Sequence, residues 1–239
     1  AAILGFAGLL LSGVDGDITA GQRESLEALQ RGGRDLLRLV DDLLDAAKLD
    51  AGRMVPERAR VQVGELLTQA RRAALERVAG GATESVCLPA EGDMDMDAVV
   101  DRDRVAHALG ALLAYALLRP GASPLGGAAG AQVTMKVRSN PGESAWTLTI
   151  VGHGTTPSRE ALGRLFDPFD TPPSGARAPA GLGLAVGVAR RVIELHGGSA
   201  QAEPAPEGGL LFRVVLPRLS HSTPVPSAPT AGDVGDDLP

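Results

Sequence analysis

The sequence predicts an α+β fold in which a helical hairpin is followed by an α/β sandwich, that is, a mixed and mostly antiparallel sheet with helices on one face. The first observation is an apolar seam with helical spacing between residues 26 and 47. The second is that short alternating strands and amphipathic helices succeed each other after residue 60. The third is that turn residues separate two pairs of alternating segments, which predicts two antiparallel hairpins within the sheet.

The composition bounds the class of protein. The chain has 239 residues, of which 44% are hydrophobic, and a net charge of −6, which is typical of a soluble globular protein with one or two domains. The acidic balance argues against a nucleic-acid partner, which requires a clustered basic face. The single cysteine, Cys87, excludes an internal disulfide and predicts a small core residue in a reducing compartment.

The N-terminal part is predicted to be a helical hairpin over residues 1–54. Residues 1–11 form an apolar run that is shorter than the roughly 20 residues of a membrane span. This run also lacks the basic start of a signal peptide, so we interpret it as the end of a helix that begins outside the chain. After a turn at 13–20, Thr19 and Gln22 have the spacing of a capping box, which predicts a second helix to about Asp50.

The second helix has one apolar seam with a spacing of three and four residues. Its members are Leu26, Leu29, Leu36, Val40, Leu43 and Ala47, with Gly33 in the gap. The opposite face is charged. Two such helices cannot bury the seam alone, so the pattern favours a homodimer with a four-helix bundle. The alternative is a hairpin that packs against its own second domain.

The second domain is predicted over residues 60–217. Strands are expected at 61–63, 85–88, 98–101, 132–138, 145–151, 199–202 and 210–216. Helices are expected at 66–78, 105–118, 160–166 and 184–195. The Asn140-Pro141-Gly142 turn predicts a hairpin between the strands on either side of it. The tail, residues 218–239, is rich in Pro, Ser, Thr, Gly and Asp and is predicted to be disordered.

A glycine-rich turn, Gly181-Leu182-Gly183-Leu184, opens the last predicted helix. Glycine lets backbone approach a ligand closely, and the free N–H groups at a helix start attract phosphate. A Phe-Asp-Pro-Phe motif at 166–169 precedes this turn, with a stretch rich in Pro, Gly and Ala between them. The two phenylalanines of that motif are either part of a ligand site or plain core residues.

In this order the motifs resemble those of two-component sensor histidine kinases over about residues 1–217. Residues 2–7 are similar to the stretch after that family's phosphoacceptor box, and residues 36–54 to the end of its second dimerisation helix. The resemblance implies a dimerisation and phosphotransfer hairpin, then an ATP-binding domain of the GHKL or Bergerat type with a flexible lid. It further implies ATP as cofactor, a response-regulator receiver domain as partner and a cytoplasmic location. Any membrane attachment is expected only through segments outside this chain.

The resemblance places a phosphoacceptor histidine on the first hairpin helix. The four histidines of this chain are His107, His153, His196 and His221, and none lies in the hairpin. The acceptor box is expected to precede Ala1, so no catalytic residue is assigned within the chain.

The family's magnesium-holding helix has two asparagines after an Asp-x-x-Arg start. Asp101 and Arg104 match that start, but the two asparagine positions are Ala111 and Tyr115. Because Mg²⁺ requires hard oxygen ligands, no metal site is assigned and the pattern disfavours Mg²⁺. A nearby cation, Arg119, is a candidate for contact with a phosphate group.

The family's adenine anchor is an aspartate in an Asp-x-Gly-x-Gly box. Here Gly152 stands in place of the aspartate, and Thr156 in place of the second glycine. Losing a charged acceptor costs about 1.5–3 kcal/mol, which is roughly ten- to hundredfold in affinity. His153 is either a partial substitute or an exposed loop residue. The candidate nucleotide-binding residues are Arg119, Gly152, Gly154, Thr156, Gly181, Leu182, Gly183 and Leu184.

The residues expected to pack the core thus match the family's motifs, whereas several residues expected to bind Mg-ATP do not. By resemblance this indicates the catalytic-core fragment of a sensor histidine kinase in a phosphorelay, with a degraded Mg-ATP site and weak or pseudokinase activity. One alternative is an active ATP-dependent protein-histidine kinase that is truncated before its acceptor box. Another is a nucleotide-binding switch that needs no Mg²⁺.

Overall fold

The structure is a computed structural model that describes residues 2–14, 16–78, 86–87, 94–118, 133–139, 144–168 and 181–218. It begins with the predicted helical hairpin, formed by α1 (Ala2–Ser12) and α2 (Ala20–Asp50). The predicted capping box is confirmed, because Thr19 and Gln22 each accept a hydrogen bond from the other's backbone amide. These reciprocal bonds satisfy amides at the start of α2 and fix where the helix begins.

Gly33 brings the two hairpin helices close together. A Cβ on Gly33 would lie 2.7 Å from Leu4 Cδ2, so α1 packs where α2 has no side chain. Leu26 is half-buried, and the other members of the predicted seam face outwards, with Leu36 61% exposed and Leu43 52% exposed. In the part of the chain that the structure describes, no helix has both the length and the apolar character needed to cross a membrane.

The second domain contains two sheets. Its strands are β1 (Ala59–Gln62), β2 (Val86–Cys87), β3 (Asp97–Val100), β4 (Val133–Arg138), β5 (Ala145–Gly152), β6 (Ser199–Pro204) and β7 (Leu210–Pro217). A small sheet pairs β1 with β3, antiparallel. The main sheet has the order β2-β4-β5-β7-β6, in which β2 and β4 are parallel and the other pairs antiparallel. The predicted mixed, mostly antiparallel sheet is confirmed, whereas the turn at 140–142 lies outside the described residues.

The helices of this domain differ from prediction mainly at their ends. They are α3 (Val63–Arg77), α4 (Arg102–Leu117), α5 (Arg159–Arg164) and α6 (Leu182–Leu195). Val63, predicted in a strand, is the first residue of α3, and its amide donates to the Met96 carbonyl. Asp101, also predicted in a strand, caps α4 instead. In both cases a long-range or capping hydrogen bond overrides local β propensity.

Helices α4 and α6 pack against one face of the main sheet, and α3 packs against α4. The even-numbered residues of β5, among them Trp146, Leu148 and Ile150, are buried on that face. The central helix, α4, is buried all the way from Val105 to Leu117 except at His107. The Ala- and Leu-rich composition of α4 therefore reflects packing on several sides at once.

A buried histidine joins the ends of α4 and α6. The Asp101 amide donates to His196 Nε2 at 3.0 Å, so Nδ1 carries the proton and donates to the Val192 carbonyl at 2.7 Å. Burial lowers the pKa of His196 below its ordinary value of 6.5, and the positive charges of Arg58 and Arg104 lower it further. The hydrogen bond to Val192 and the negative charge of Asp101 raise this pKa but do not offset the decrease. The imidazole is consequently neutral in the folded protein at neutral pH.

This histidine makes stability depend on pH. Because the folded pKa lies below 6.5, the unfolded chain binds more protons, and the contribution of His196 is complete above pH 6.5 and falls as the pH drops below it. We expect the free energy of unfolding, measured in urea, to decrease from pH 7.5 to pH 5. The variant His196→Gln should lack the part of this decrease that comes from protonation of His196 in the unfolded chain. The loss amounts to about 1.4 kcal/mol for each unit by which the pKa is lowered.

The matched control is His107→Gln, because His107 is exposed. It should leave the free energy of unfolding at pH 7.5 close to that of the unaltered chain. An equal pH dependence in His196→Gln and the unaltered chain would contradict the prediction.

Candidate functional site

The two positions predicted to lack metal ligands lie in the core. Ala111 is 1% exposed and Tyr115 is 6% exposed, both on α4. Tyr115 packs edge-on against Phe212 of β7, with ring centroids 6.1 Å apart. Ala111 offers no oxygen, and the Tyr115 ring is part of an aromatic contact, so this pair does not fit the octahedral oxygen shell of Mg²⁺. Among the described residues, no group of three or more His, Cys, Asp or Glu side chains is arranged to hold a metal ion.

An aromatic contact chain connects α4 to α6. Phe166 packs edge-on against the same Phe212, again with centroids 6.1 Å apart. The Arg190 guanidinium of α6 lies 5.2 Å from the centroid of the Phe166 ring. Phe166 therefore has a packing role, and the other phenylalanine of its motif, Phe169, lies outside the described residues.

The predicted adenine-anchor position, Gly152, is closely packed. Gly152 ends β5 opposite Leu210 of β7, which is fully buried. A Cβ on Gly152 would lie 2.9 Å from Ala116 Cβ and 3.0 Å from the Ala116 carbonyl oxygen. The approach of β5 to α4 thus requires the absence of a side chain at this position. The described surroundings provide neither a carboxylate nor room for one.

The loop after β5 is attached to the turn between β6 and β7. Thr156 Oγ1 accepts a hydrogen bond from the Gly209 amide at 3.1 Å. A Cβ on Gly209 would collide with the Gly152 carbonyl, and Gly154 has a φ of 134°. Gly152, Gly154 and Thr156 are thereby brought together. Sequence reasoning missed Gly209, although a Gly-Gly pair between two alternating segments was the available signal.

His153 lies inside this loop between the two predicted glycine positions. Its side chain is half-buried, and its Nε2 atom is buried without a hydrogen-bond partner among the described residues. The alternative of an exposed loop histidine therefore does not describe it. A buried imidazole nitrogen without a partner is a polar group whose desolvation is uncompensated by the described protein atoms.

The predicted phosphate cradle forms the start of α6. Gly181 is the N-cap with a φ of 82°, a conformation that favours glycine, and it makes no side-chain capping bond. Leu182, Gly183 and Leu184 form the first turn of the helix, two residues earlier than predicted, and all three are buried. The first amides of a helix have no partner within it, so they are the atoms able to bind an anion here. Arg119, the predicted phosphate cation, lies outside the described residues.

The hairpin helix α2 contacts this cradle directly. A Cβ on Gly181 would lie 2.5 Å from Leu39 Cδ1, so the Leu39 side chain occupies the space beside the glycine. Nothing in the local sequence pattern predicts this contact, because Leu39 and Gly181 are far apart in the chain.

Comparison with known proteins gives the family. Residues 100–220 match the histidine kinase-, DNA gyrase B- and HSP90-like ATPase family, and residues 1–52 match the His kinase A phospho-acceptor domain. The chain is 32% identical to the sensor protein DivL of Caulobacter vibrioides, over 92% of this chain and 26% of DivL. It is 27% identical to the circadian input-output histidine kinase CikA of Synechococcus elongatus, over 99% of this chain and 30% of CikA. The chain thus spans about a quarter to a third of these two relatives.

Solved structures have the same fold. The crystal structure of full-length ShkA in complex with AMPPNP aligns with a TM-score of 0.62 at 21% identity, over 94% of this chain and 44% of that one. The crystal structure of the histidine kinase ThkA in complex with the response regulator protein TrrA aligns with a TM-score of 0.56 at 18% identity, over 90% of this chain and 59% of that one. At these identities the likeness shows the fold alone.

The matched regions coincide with the two parts of the structure described above. The ATPase-type match contains α4, the end of β5 and the glycine-rich start of α6, and the phospho-acceptor-type match contains α1 and α2. The chain therefore belongs to the two-component sensor histidine kinases and has that family's dimerisation domain followed by its ATP-binding domain.

Proposed function

We propose that this chain is the catalytic-core part of a sensor histidine kinase that acts in a phosphorelay mainly through protein contacts, because its Mg-ATP site is weakened. The packing at Gly152 is the observation on which this proposal depends. At the position where the family has its adenine-binding carboxylate, Gly152 of β5 lies against Ala116 of α4. A Cβ added to Gly152 would be only 2.9 Å from Ala116 Cβ. Losing such a charged acceptor weakens binding by about 1.5–3 kcal/mol.

The metal positions support the same proposal. Ala111 and Tyr115 are both buried in α4, which has no exposed side along its central turns. Without two amide oxygens at these positions, the protein has fewer groups to hold Mg²⁺ between phosphates. Transfer of a phosphoryl group depends on positioning and on charge neutralisation by such ions, so we propose weak or pseudokinase activity.

The preserved start of α6 favours a second candidate function, a nucleotide-binding switch that needs no Mg²⁺. Gly181 has the left-handed conformation, and the first-turn amides of Leu182, Gly183 and Leu184 lack helical partners. Phosphate oxygens are attracted to such amides without a metal. ATP is the nucleotide we propose, since the matched family is named for its ATPase.

The partners that we propose are a second copy of the chain and a response-regulator receiver domain. The hairpin exposes large apolar residues, among them Phe6 at 67%, Leu36 at 61% and Leu43 at 52%. Such a surface is typical of a protein–protein interface. The structure of ThkA with the response regulator TrrA supports the kind of partner. We further propose a cytoplasmic location for this part of the protein.

The proposal predicts weak ATP binding. We expect the Kd for ATP, measured by isothermal titration calorimetry, to be roughly ten- to hundredfold higher than for a homologous domain that keeps the carboxylate. Adding Mg²⁺ should change it little. Gly183→Pro, which removes one amide of the cradle, should abolish any residual binding.

Each other outcome of this titration has a defined meaning. Tight binding that requires Mg²⁺ would contradict the proposal and favour an active histidine kinase. Tight binding without dependence on Mg²⁺ would favour the nucleotide switch. The absence of binding at millimolar ATP would agree with a protein-contact function.

Restoring the missing carboxylate is expected to fail. Gly152→Asp places a Cβ 2.9 Å from Ala116 Cβ and a charge beside buried Leu210, so α4 must shift. We expect a loss of about 1–3 kcal/mol in the free energy of unfolding, measured in urea, and no gain in ATP affinity.

The control is Gly163→Ala, because a Cβ on Gly163 meets no atom within 4 Å. That variant should be as stable as the unaltered chain or slightly more stable. If Gly152→Asp proved fully stable and bound ATP tightly, the packing argument would be wrong.

The exposed seam predicts a dimer. We expect sedimentation equilibrium to give twice the mass of one chain, and the double variant Leu36→Asp/Leu43→Asp to give a monomer, because each charge would be buried without a partner in the dimer interface. Val55→Asp is the control, since Val55 is 79% exposed and lies outside the hairpin. A monomeric unaltered chain, or a double variant that stays dimeric, would count against the predicted bundle.

A further inference from the structure

The charged face of α2 docks onto the ATP-binding domain. Asp42 accepts two hydrogen bonds from Arg77 of α3, at 3.1 and 3.2 Å, and the two side chains are only 15% and 10% exposed. Asp45, one turn further along α2, accepts from Arg104 of α4 at 3.0 Å. A bidentate pair with so little exposure has directional specificity that a surface ion pair lacks.

The charged face of α2 also contacts the ATP-binding domain at both of its ends. Arg38 Nη2 donates to the Glu76 carbonyl of α3 at 2.7 Å. At the other end of the face, Asp50 pairs with Arg191 of α6. Acids on α2 thus meet arginines on α3, α4 and α6, which gives the docking one register along α2.

Leu39 lies within this docking face and reaches the glycine-rich turn. It is half-buried, and its Cδ1 atom is 2.5 Å from the position that a Cβ on Gly181 would occupy. The turn is therefore shielded on this side by a residue of the other domain. The φ of 82° at Gly181 favours glycine, and the missing side chain leaves room for Leu39.

The interface between α2 and the sandwich is polar, which allows α2 to separate from the sandwich. A cavity of about 90 Å³ remains between α2 and the sandwich, lined by Arg38, Asp42, Asp45, Arg77, Arg104 and His107 among others. A mixed-charge interface with unfilled space resembles the interfaces between domains that move relative to each other. The opposite face of α2, which contains Leu36 and Leu43, is separate from it and remains exposed.

We infer that α2 is an intramolecular competitor for the glycine-rich turn. In the docked state Leu39 closes the turn at Gly181, and the Asp42–Arg77 and Asp45–Arg104 pairs hold α2 in that register. A phosphate group of a nucleotide binds at the turn when α2 is released. This inference rests on the proposed function in one respect, namely that the turn is a nucleotide-phosphate site.

The docking itself is tested without any nucleotide. Spin labels on Lys48→Cys of α2 and Ser199→Cys of β6, in a Cys87→Ser background and mixed with an excess of unlabelled chain, report the distance between the hairpin and the sandwich of one chain. We expect one narrow distance in the otherwise unaltered chain and a broad, longer distribution in Asp42→Arg or Arg77→Asp. The double variant Asp42→Arg/Arg77→Asp should recover the narrow distance, because it re-forms the pair with the charges exchanged.

The competition is tested with ATP as the probe. An apparent Kd equals the intrinsic Kd divided by the fraction of molecules that can bind, so full release of a site that is open in about a tenth of the molecules strengthens binding about tenfold. We expect this gain in calorimetry for Asp42→Arg and for Leu39→Ala, and none for the charge-exchanged pair. Leu44→Ala is the matched control on the same helix, since Leu44 is 51% exposed.

The outcomes separate this inference from the proposed function. An unchanged distance in Asp42→Arg and Arg77→Asp would overturn the docking. A changed distance with an unchanged Kd, or with no ATP binding in any variant, would overturn the competition and leave the weakened Mg-ATP site as proposed. Tight, Mg²⁺-dependent binding in the released variants would support the competition and overturn the proposed weakness of the site.

Discussion

The junction between the hairpin and the sandwich depends on the hydrogen bonds of one buried residue, Asp101. Its carboxylate caps α4 through the Arg104 amide, accepts from the Glu57 amide of the interdomain segment, and pairs with the Arg104 guanidinium. Its own amide donates to His196 at the end of α6. Because the Arg104 guanidinium also donates to Asp45, the start of α4, the end of α6, the linker and the hairpin are joined through Asp101 and Arg104 together. Such a network stabilises only when all of its polar groups are satisfied.

The same geometry separates the packing of the core from the residues proposed to bind a nucleotide. The sandwich is held by α4, which is buried along its length, and by contacts such as Gly152 against Ala116. Ala111 adds to that packing without a polar group that would need a partner, and the Tyr115 ring adds an edge-on contact with Phe212. The stability of the core and the chemistry of the site therefore have separate requirements at these positions.

The two faces of α2 have different roles. One face exposes Leu36 and Leu43, and the other places Asp42 and Asp45 against arginines of the sandwich. The alternatives raised by the sequence, a dimer seam or a hairpin packed on its own domain, therefore do not exclude each other. The seam remains available for a second copy while the charged face docks, since the two lie on different sides of the helix.

The sequence by itself determined the helical hairpin, the capping box at Thr19, the mixed sheet and the glycine-rich start of α6, because these follow from local periodicity and turn chemistry. By resemblance to the family, it also placed the expected adenine-anchor position at Gly152. Only the tertiary structure decided that α4 closes against Gly152, that Val63 and Asp101 belong to helix starts, and that Leu39 covers Gly181. Each of these depends on a contact or hydrogen bond across the fold, and the local pattern holds no information about distant partners. The charges of α2 were visible in the sequence, but their burial against Arg77 and Arg104 was set by how the two domains meet.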